Sequence, residues 1–309
     1  MTRKQKKRTK LKKNRPNSRS LSFFNYCVCF MDLLGQREAL KGHGIISDAS
    51  VEGRKQFIKD MAPIISPIVN MQERTANMKR LLDVNPPAQF QKPLPKDAQR
   101  EWTQMRKMRL STQYWSDGLV AFASLGESNI KCRMNAVLSI FGIAGTECLS
   151  GLVGHAPIRG AIDIAWGVEL RPGELYGAAV ANAYELESNG AQYPRILVSE
   201  QTIDFLKATI QRSEQDIFSE YDRRLAQICY DMVLQDEDGR YILHYLGDTF
   251  RDAITKGQPA THYVAAYEAA HSFVVLEYER FRQKGDAKLE PRYRLLLSYF
   301  EKFPPNHKG

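Results

Sequence analysis

Two aspartates carry most of the chemistry that residue type and spacing can suggest. Asp32 closes the apolar run Phe23-Phe24-Asn25-Tyr26-Cys27-Val28-Cys29-Phe30-Met31, and Asp117 stands in Ser116-Asp117-Gly118 between Gln113-Tyr114-Trp115 and Leu119-Val120-Ala121-Phe122-Ala123. Singly, each has a bland reading: a helix N-cap for Asp32, and for Asp117 the turn residue that a tight hairpin asks for. Together they say more. A strand-terminal Asp and an Asp at the tip of the next hairpin can place two carboxylates side by side, hard oxygen ligands of the kind Mg²⁺ or Mn²⁺ takes when it carries a triphosphate. The turn Leu33-Leu34-Gly35-Gln36 then offers backbone N–H groups at a helix start, a seat for β- and γ-phosphates. Arg37, in the first turn of that helix, either reaches a phosphate or faces solvent. His43, His155, His244, His262, His271 and His307 show no H-x-x-H or H-E-x-x-H spacing, which argues against a metal-histidine site.

Elements must position these groups. The run 23–31 is too apolar to leave one face in water and reads as a central strand. Apolar positions Phe57, Met61, Ile64, Ile65, Ile68 and Val69 recur at helical spacing within 51–82, where Pro63 and Pro67 should kink or interrupt the helix. The stretch 83–98, rich in proline, reads as an inserted excursion. A hairpin about Asp117, a helix over 130–152, a strand over 157–167, an alanine-rich helix over 175–188 and a strand over 195–198 capped by Ser199 follow. A second hairpin is expected about Asp236-Glu237-Asp238-Gly239, and helices over 260–283 and 289–302 end the chain.

The 309 residues, 43% of them apolar, suffice for one large domain or two small ones. Of the 44 Lys and Arg, ten fall in residues 1–20 with no acid among them, so the remainder carries 34 cations against 35 anions. The net charge of +9 thus describes a basic tail, and nucleic acid is expected to meet the protein only through that tail. No secretory signal and no continuous run of about 18 apolar residues is visible, so a cytoplasmic protein without a membrane span is expected. Cys27, Cys29, Cys132, Cys148 and Cys229, odd in number and mostly in apolar surroundings, are expected to stay reduced.

At this point the motifs match a family. Phe30-Met31-Asp32-Leu33-Leu34-Gly35 resembles the F-x-D-I-x-G motif of class III nucleotidyl cyclases, and Ser116-Asp117-Gly118 resembles their second metal-aspartate hairpin. Ile158-Arg159-Gly160-Ala161-Ile162 with Trp166-Gly167 resembles their R-x-G-I strand and Gly turn. Gly177 to Glu187 resembles their G-x-x-V-N-x-A-x-R-L helix, and Pro194 to Ser199 the strand that follows. The matches run in family order over about 23–250. The family's purine-specific members differ in places: Ala181 and Glu185 stand where a transition-state Asn and Arg are kept, with Asn182 one step off and about 100° round the helix. Ser111, six residues before Asp117, and Glu174, three before Gly177, are the positions assigned to base reading, Glu174 having a solvated turn as its alternative. In these departures the chain is most similar to the pyrimidine cyclases of bacterial Pycsar antiphage systems.

The resemblance implies an α+β ferredoxin-like sandwich, an antiparallel sheet with helices on one face, spanning 21–255 after a tail of 1–20 and before a C-terminal helical extension of 256–309. It implies two Mg²⁺ or Mn²⁺ ions held by Asp32, Leu33 and Asp117, phosphates at Leu34, Gly35, Gln36 and Arg37, and Asn182 as the remaining donor on its helix. It further implies a homodimer with composite sites, UTP or CTP as substrate with UTP favoured, a cyclic 3′,5′-mononucleotide as second messenger, and a separate effector that reads it. Two rivals stand beside this reading: a cyclase of ATP or GTP, and a cyclase-like domain that binds a nucleotide and signals without catalysis.

Overall fold

The computed structural model describes residues 21–41, 43–46, 48, 50–84, 108–254 and 260–305. The basic tail and nearly all of the proline-rich stretch expected at 83–98 lie outside the described residues. Eight strands form one sheet: β1 (Phe23–Leu33), β2 (Leu110–Trp115), β3 (Gly118–Ser124), β4 (Ile158–Arg171), β5 (Glu174–Tyr176), β6 (Ile196–Val198), β7 (Val233–Gln235) and β8 (Tyr241–Leu243). Their order is β2-β3-β1-β4-β6-β8-β7, with β5 hairpinned onto β4. Every pairing is antiparallel except β4 with β6, giving the mixed α+β architecture that the sequence suggested.

The helices are α1 (Gln36–Ala39), α2 (Val51–Val84), α3 (Met134–Val153), α4 (Ala178–Gly190), α5 (Glu200–Ile210), α6 (Ile217–Asp231), α7 (Asp248–Ile254), α8 (Ala260–Lys284) and α9 (Glu290–Lys302). Alternation along β1 divides the core. Cys27, Cys29, Met31 and Leu33 face the larger cluster, filled by α3, α5, α6, α8 and α9, while Tyr26, Val28 and Phe30 face a smaller one with Ala179, Val180 and Ala183 of α4. Helices were expected on one face only; α4 covers part of the other. The terminal helices share the larger core, with Tyr267 donating its hydroxyl to the Phe300 carbonyl at 2.6 Å.

Several elements differ in detail from expectation. Helix α2 runs unbroken past Pro63 and Pro67. Leu175, expected in the alanine-rich helix, lies in β5, because Gly177 at φ 142° ends that strand and starts α4. Helix α6 was not foreseen. Its Asp222 is buried and accepts from the N–H groups of Arg133 and Met134, capping α3 from a distance in sequence. A second buried acid, Glu147 of α3, holds Arg74 and Thr75 of α2 at 2.7 and 3.0 Å. Among the described residues, α3 alone is long and apolar enough to cross a membrane, and it is the central core helix, with 83% of its most apolar stretch buried. All five cysteines are free and buried.

Candidate active site

Asp32 is the next residue after Phe30 on the face that α4 partly covers, at the end of β1 where the strand leaves the sheet. It pairs across to Gly118 on one side and Arg159 on the other. Asp117 precedes Gly118 directly, so the β2–β3 turn lays it next to Asp32's cross-strand partner, near enough for its charge to act on Asp32. Asp32 is therefore no helix cap; that position belongs to Gly35, at φ 91°. Nor does the hairpin use Gly118 for a left-handed turn. The positive φ, 51°, falls on Ser116, and Gly118 is favoured because a Cβ there would stand a tight 3.1 Å from the Met31 carbonyl and 3.3 Å from that of Trp115. The missing side chain lets β3 press against the end of β1 and brings the two carboxylates together.

The electrostatics agree. Burial and the neighbouring Asp117 charge push the Asp32 carboxyl above the ordinary carboxylate range, against the lowering pull of Arg159 and of the Leu33 N–H. Two anions crowded at one strand end call for a cation. Among the described residues no cluster of three or more His, Cys, Asp or Glu forms. An ion here would be held by Asp32 and Asp117 with carbonyl, water and phosphate oxygens completing its shell, as Mg²⁺ accepts. Gln36, turned inward from the adjoining turn, adds a buried amide oxygen with no hydrogen-bond donor. The residues present fit a divalent cation.

The phosphate turn is narrower than expected. The Leu34 N–H is taken by the Pro157 carbonyl at 2.9 Å, and α1 has only four residues, so its dipole is small. That removes Leu34 and leaves Gly35 and Gln36; the side chain of Arg37 lies outside the described residues. In its place stands Arg159, which was read only as part of a strand motif. Its Nη2 lies 3.4 Å from Asp32 Oδ2, its Nη1 3.4 Å from the Ala191 carbonyl, and its Nε 2.5 Å from Glu187 Oε1, a close ion pair whose angle makes no hydrogen bond. The buried ring of Phe30 and the exposed rings of Trp115 and Tyr184 form an aromatic corner beside these charges, with ring centroids 5.3–6.5 Å apart.

The other candidates are distributed differently. Asn182 points back into the fold, where Nδ2 donates to Asp163 at 3.1 Å; Asp163 is wholly buried on β4 and also accepts from Ser199 Oγ at 2.5 Å. The outward side of α4 presents Ala181, Tyr184, Glu185 and Ser188 instead. Ser111 is buried against the sheet, and Gln113, two residues nearer Trp115 on the same face, is the polar side chain that reaches the β4–β5 hairpin: its Oε1 accepts from Leu175 N at 3.1 Å. Glu174 sits in that hairpin and pairs with Arg171 at 3.7 Å, the solvated turn that was its alternative.

Beyond Gln113, at the far end of the face from Asp32, a groove of about 240 Å³ has Phe24 and Tyr26 as its aromatic side and Arg109, Glu127 and Glu169 as its polar side. Arg109 bridges Glu169 at 2.9 Å and Glu127 at 3.7 Å. The chain from Phe24 to Asp32 spans eight residues of strand, roughly 26 Å. No family model matches this chain, and no curated protein matches it.

Neither Arg159 nor Glu187 was legible as a site residue, since their meeting depends on a register and a helix placement that spacing does not give. Gln113 was missed by two positions on a strand whose facing was not yet fixed.

Proposed function

We propose that the protein is a metal-dependent nucleotidyl cyclase that converts a pyrimidine nucleoside triphosphate, UTP in preference to CTP, to its cyclic 3′,5′-monophosphate and pyrophosphate. The observation that carries this reading is the convergence of Asp32 and Asp117 at one strand end, with Arg159 beside them. In the reaction the 3′-oxygen bonds to the α-phosphorus as the bond to the bridging oxygen breaks; pyrophosphate leaves with that oxygen, and the hydroxyl proton passes to water. Bound divalent cations would supply the acidity of the 3′-hydroxyl and the neutralisation of the leaving group. Asp32 and Asp117 hold the charge that fixes the triphosphate, Gly35 and Gln36 bound its turn, and Arg159 supplies a guanidinium for a phosphate oxygen.

Beside these groups the same chain offers a base only the aromatic corner of Phe30, Trp115 and Tyr184, whereas Glu174 and the groove with Phe24, Tyr26 and Arg109 lie at the opposite end of the same open face, toward which Gln113 reaches from the Phe30 level. A head-to-tail homodimer would bring one subunit's carboxylates opposite its partner's groove, so that each site is composite. The choice of pyrimidine, the role of the product as an antiphage second messenger and the separate effector come from the family resemblance.

Incubating the protein with each of the four nucleoside triphosphates and Mn²⁺, then separating products by chromatography, tests the reading. Cyclic UMP or cyclic CMP is expected. A folded dimer that yields no cyclic nucleotide from any of the four would overturn it in favour of a binding-only domain, the alternative that the exposed Ala181 and Glu185 of α4 favour. Cyclic AMP or cyclic GMP would keep the chemistry and reverse the base assignment.

A further inference from the structure

Arg159 is shared between two carboxylates of unequal standing. Asp32 sits at the rim with its side chain 22% exposed and meets the guanidinium once, at 3.4 Å. Glu187 faces the sheet from α4 with its side chain 1% exposed, approaches Nε to 2.5 Å, and accepts from Ser188 Oγ at 3.0 Å with its other oxygen. An anion taken out of water is stable only while paired, so Glu187 depends on Arg159 far more than Asp32 does. Arginine, in turn, stays charged throughout.

We propose that Arg159 is the resident counter-ion of the candidate metal site, and that Glu187 is the positioning residue that retains its guanidinium when a divalent cation takes Asp32. The inference rests on the metal role proposed for Asp32. A cation arriving at Asp32 and the guanidinium already there repel one another. Because Nε is in contact with a second, buried anion, the guanidinium can give up the long Asp32 contact and stay neutralised. Without the Glu187 charge, Asp32 becomes its nearest anion and the arginine competes with the metal. Glu187 thereby sets the metal affinity of a carboxylate it does not touch.

The test is Mn²⁺ binding by the intact chain without nucleotide, followed from the paramagnetic resonance of free Mn²⁺ at low ionic strength. Glu187→Gln, which keeps shape and removes charge, should bind Mn²⁺ about tenfold more weakly, the order expected when one close, buried ion pair is lost. The double variant Glu187→Gln/Arg159→Met should bind at least as tightly as wild type, since the competing cation is gone and the methionine preserves the packing of the stem. Should Glu187→Gln alone unfold on melting, this double variant, free of unpaired buried charge, carries the comparison. Wild-type affinity in a folded Glu187→Gln, or a double variant weaker than wild type, would overturn the inference. Asp32→Asn separates the two levels. If it binds Mn²⁺ weakly while Glu187→Gln binds normally, only the inference fails; if Asp32→Asn itself binds as wild type, the metal role of Asp32 fails and takes the inference with it.

Discussion

Gly160 lies against the carbonyl of Phe30 so closely that a Cβ built on it would stand 2.4 Å from that oxygen, with Ile196 Cδ1 at 3.0 Å and Met31 Cγ at 3.2 Å. The residue follows Arg159 on β4 and pairs with Met31 beside the Asp32–Arg159 pair, so the same close approach that joins β4 to β1 also holds guanidinium and carboxylate at their separation. Gly160→Ala must move backbone, because the nearest obstacle is a carbonyl. We expect it to cost roughly 2–3 kcal/mol, the range for overpacking a core, and to lower activity further in whatever remains folded. Gly44→Ala, where a Cβ meets nothing within 4 Å, is the control and should leave the urea midpoint unchanged.

Asp32→Asn and Asp117→Asn should each reduce cyclisation at least 100-fold, since a neutral amide cannot supply the charge that holds a divalent cation. Stability should move the other way for Asp32. Burial and Asp117 raise its carboxyl in the folded protein, so the charged form is penalised there, and removing the charge should leave the thermal midpoint at neutral pH equal or higher. Near-normal turnover by either variant would end the assignment of the pair.

How far the sequence could be read is set by range. The core strand and the hairpin were visible because Phe23 to Met31 is an almost continuous apolar run and Leu119 to Ala123 another that directly follows an Asp-Gly turn, signals each contained within a few residues. The site's second half was not visible for the opposite reason: Arg159 acquires its meaning from Asp32 across a strand pair and from Glu187 on a helix 28 residues later, and both contacts follow from register. The same holds for Asp222, which looks like any polar residue of an amphipathic helix until α6 places it at the open N-terminus of α3. Local turn chemistry did not reveal that Gly118 serves closeness of approach, and it misled at Leu34, whose N–H is spent on Pro157.

Two buried groups should give the stability curve opposing slopes between about pH 4 and 7. Burial pushes Asp222 up to about 6, outweighing the hydrogen bonds from Met134 and Arg133. A raised carboxyl contributes stability that is complete below its unfolded value near 4 and is lost as pH rises through 6, about 2–3 kcal/mol at 1.36 kcal/mol per unit. His244, packed against Tyr299 and Phe303, is pushed down to about 4, so its neutral form is favoured and stability is lost as pH falls from about 6.5 through 4. The magnitude is smaller than its shift alone implies, because part of the ring stays in contact with water. In urea titrations, wild type should lose stability relative to Asp222→Asn on going from pH 4 to 7, and gain it relative to His244→Gln over the same range. Parallel curves in either comparison would remove that group from the pH response.

The separation along the open face leads to the last expectation. Asp32 and Asp117 occupy one end and Arg109 the other, farther along the strands than a single nucleotide can stretch, with Gln113 between them at the Phe30 level and hydrogen-bonded to the β4–β5 hairpin. If each site is built from one subunit's carboxylates and its partner's groove, two differently damaged chains can repair one another. Asp32→Asn lacks the metal half; Arg109→Ala/Gln113→Leu lacks the base half; each should be nearly inactive alone. Mixed in equal amounts and allowed to exchange, half of the dimers are heterodimers, and each of these carries one site with both halves intact and one with neither, so about a quarter of wild-type activity should return. The Arg109→Ala/Gln113→Leu chain must first be shown to dimerise by sedimentation, as both side chains also tie strands together within the subunit. Restoration near a quarter fixes the head-to-tail arrangement, because a site made within one chain would gain nothing from mixing. No restoration between two folded, exchanging variants would place base and metal recognition in the same subunit and require the aromatic corner of Phe30, Trp115 and Tyr184, already beside the carboxylates, to hold the base instead.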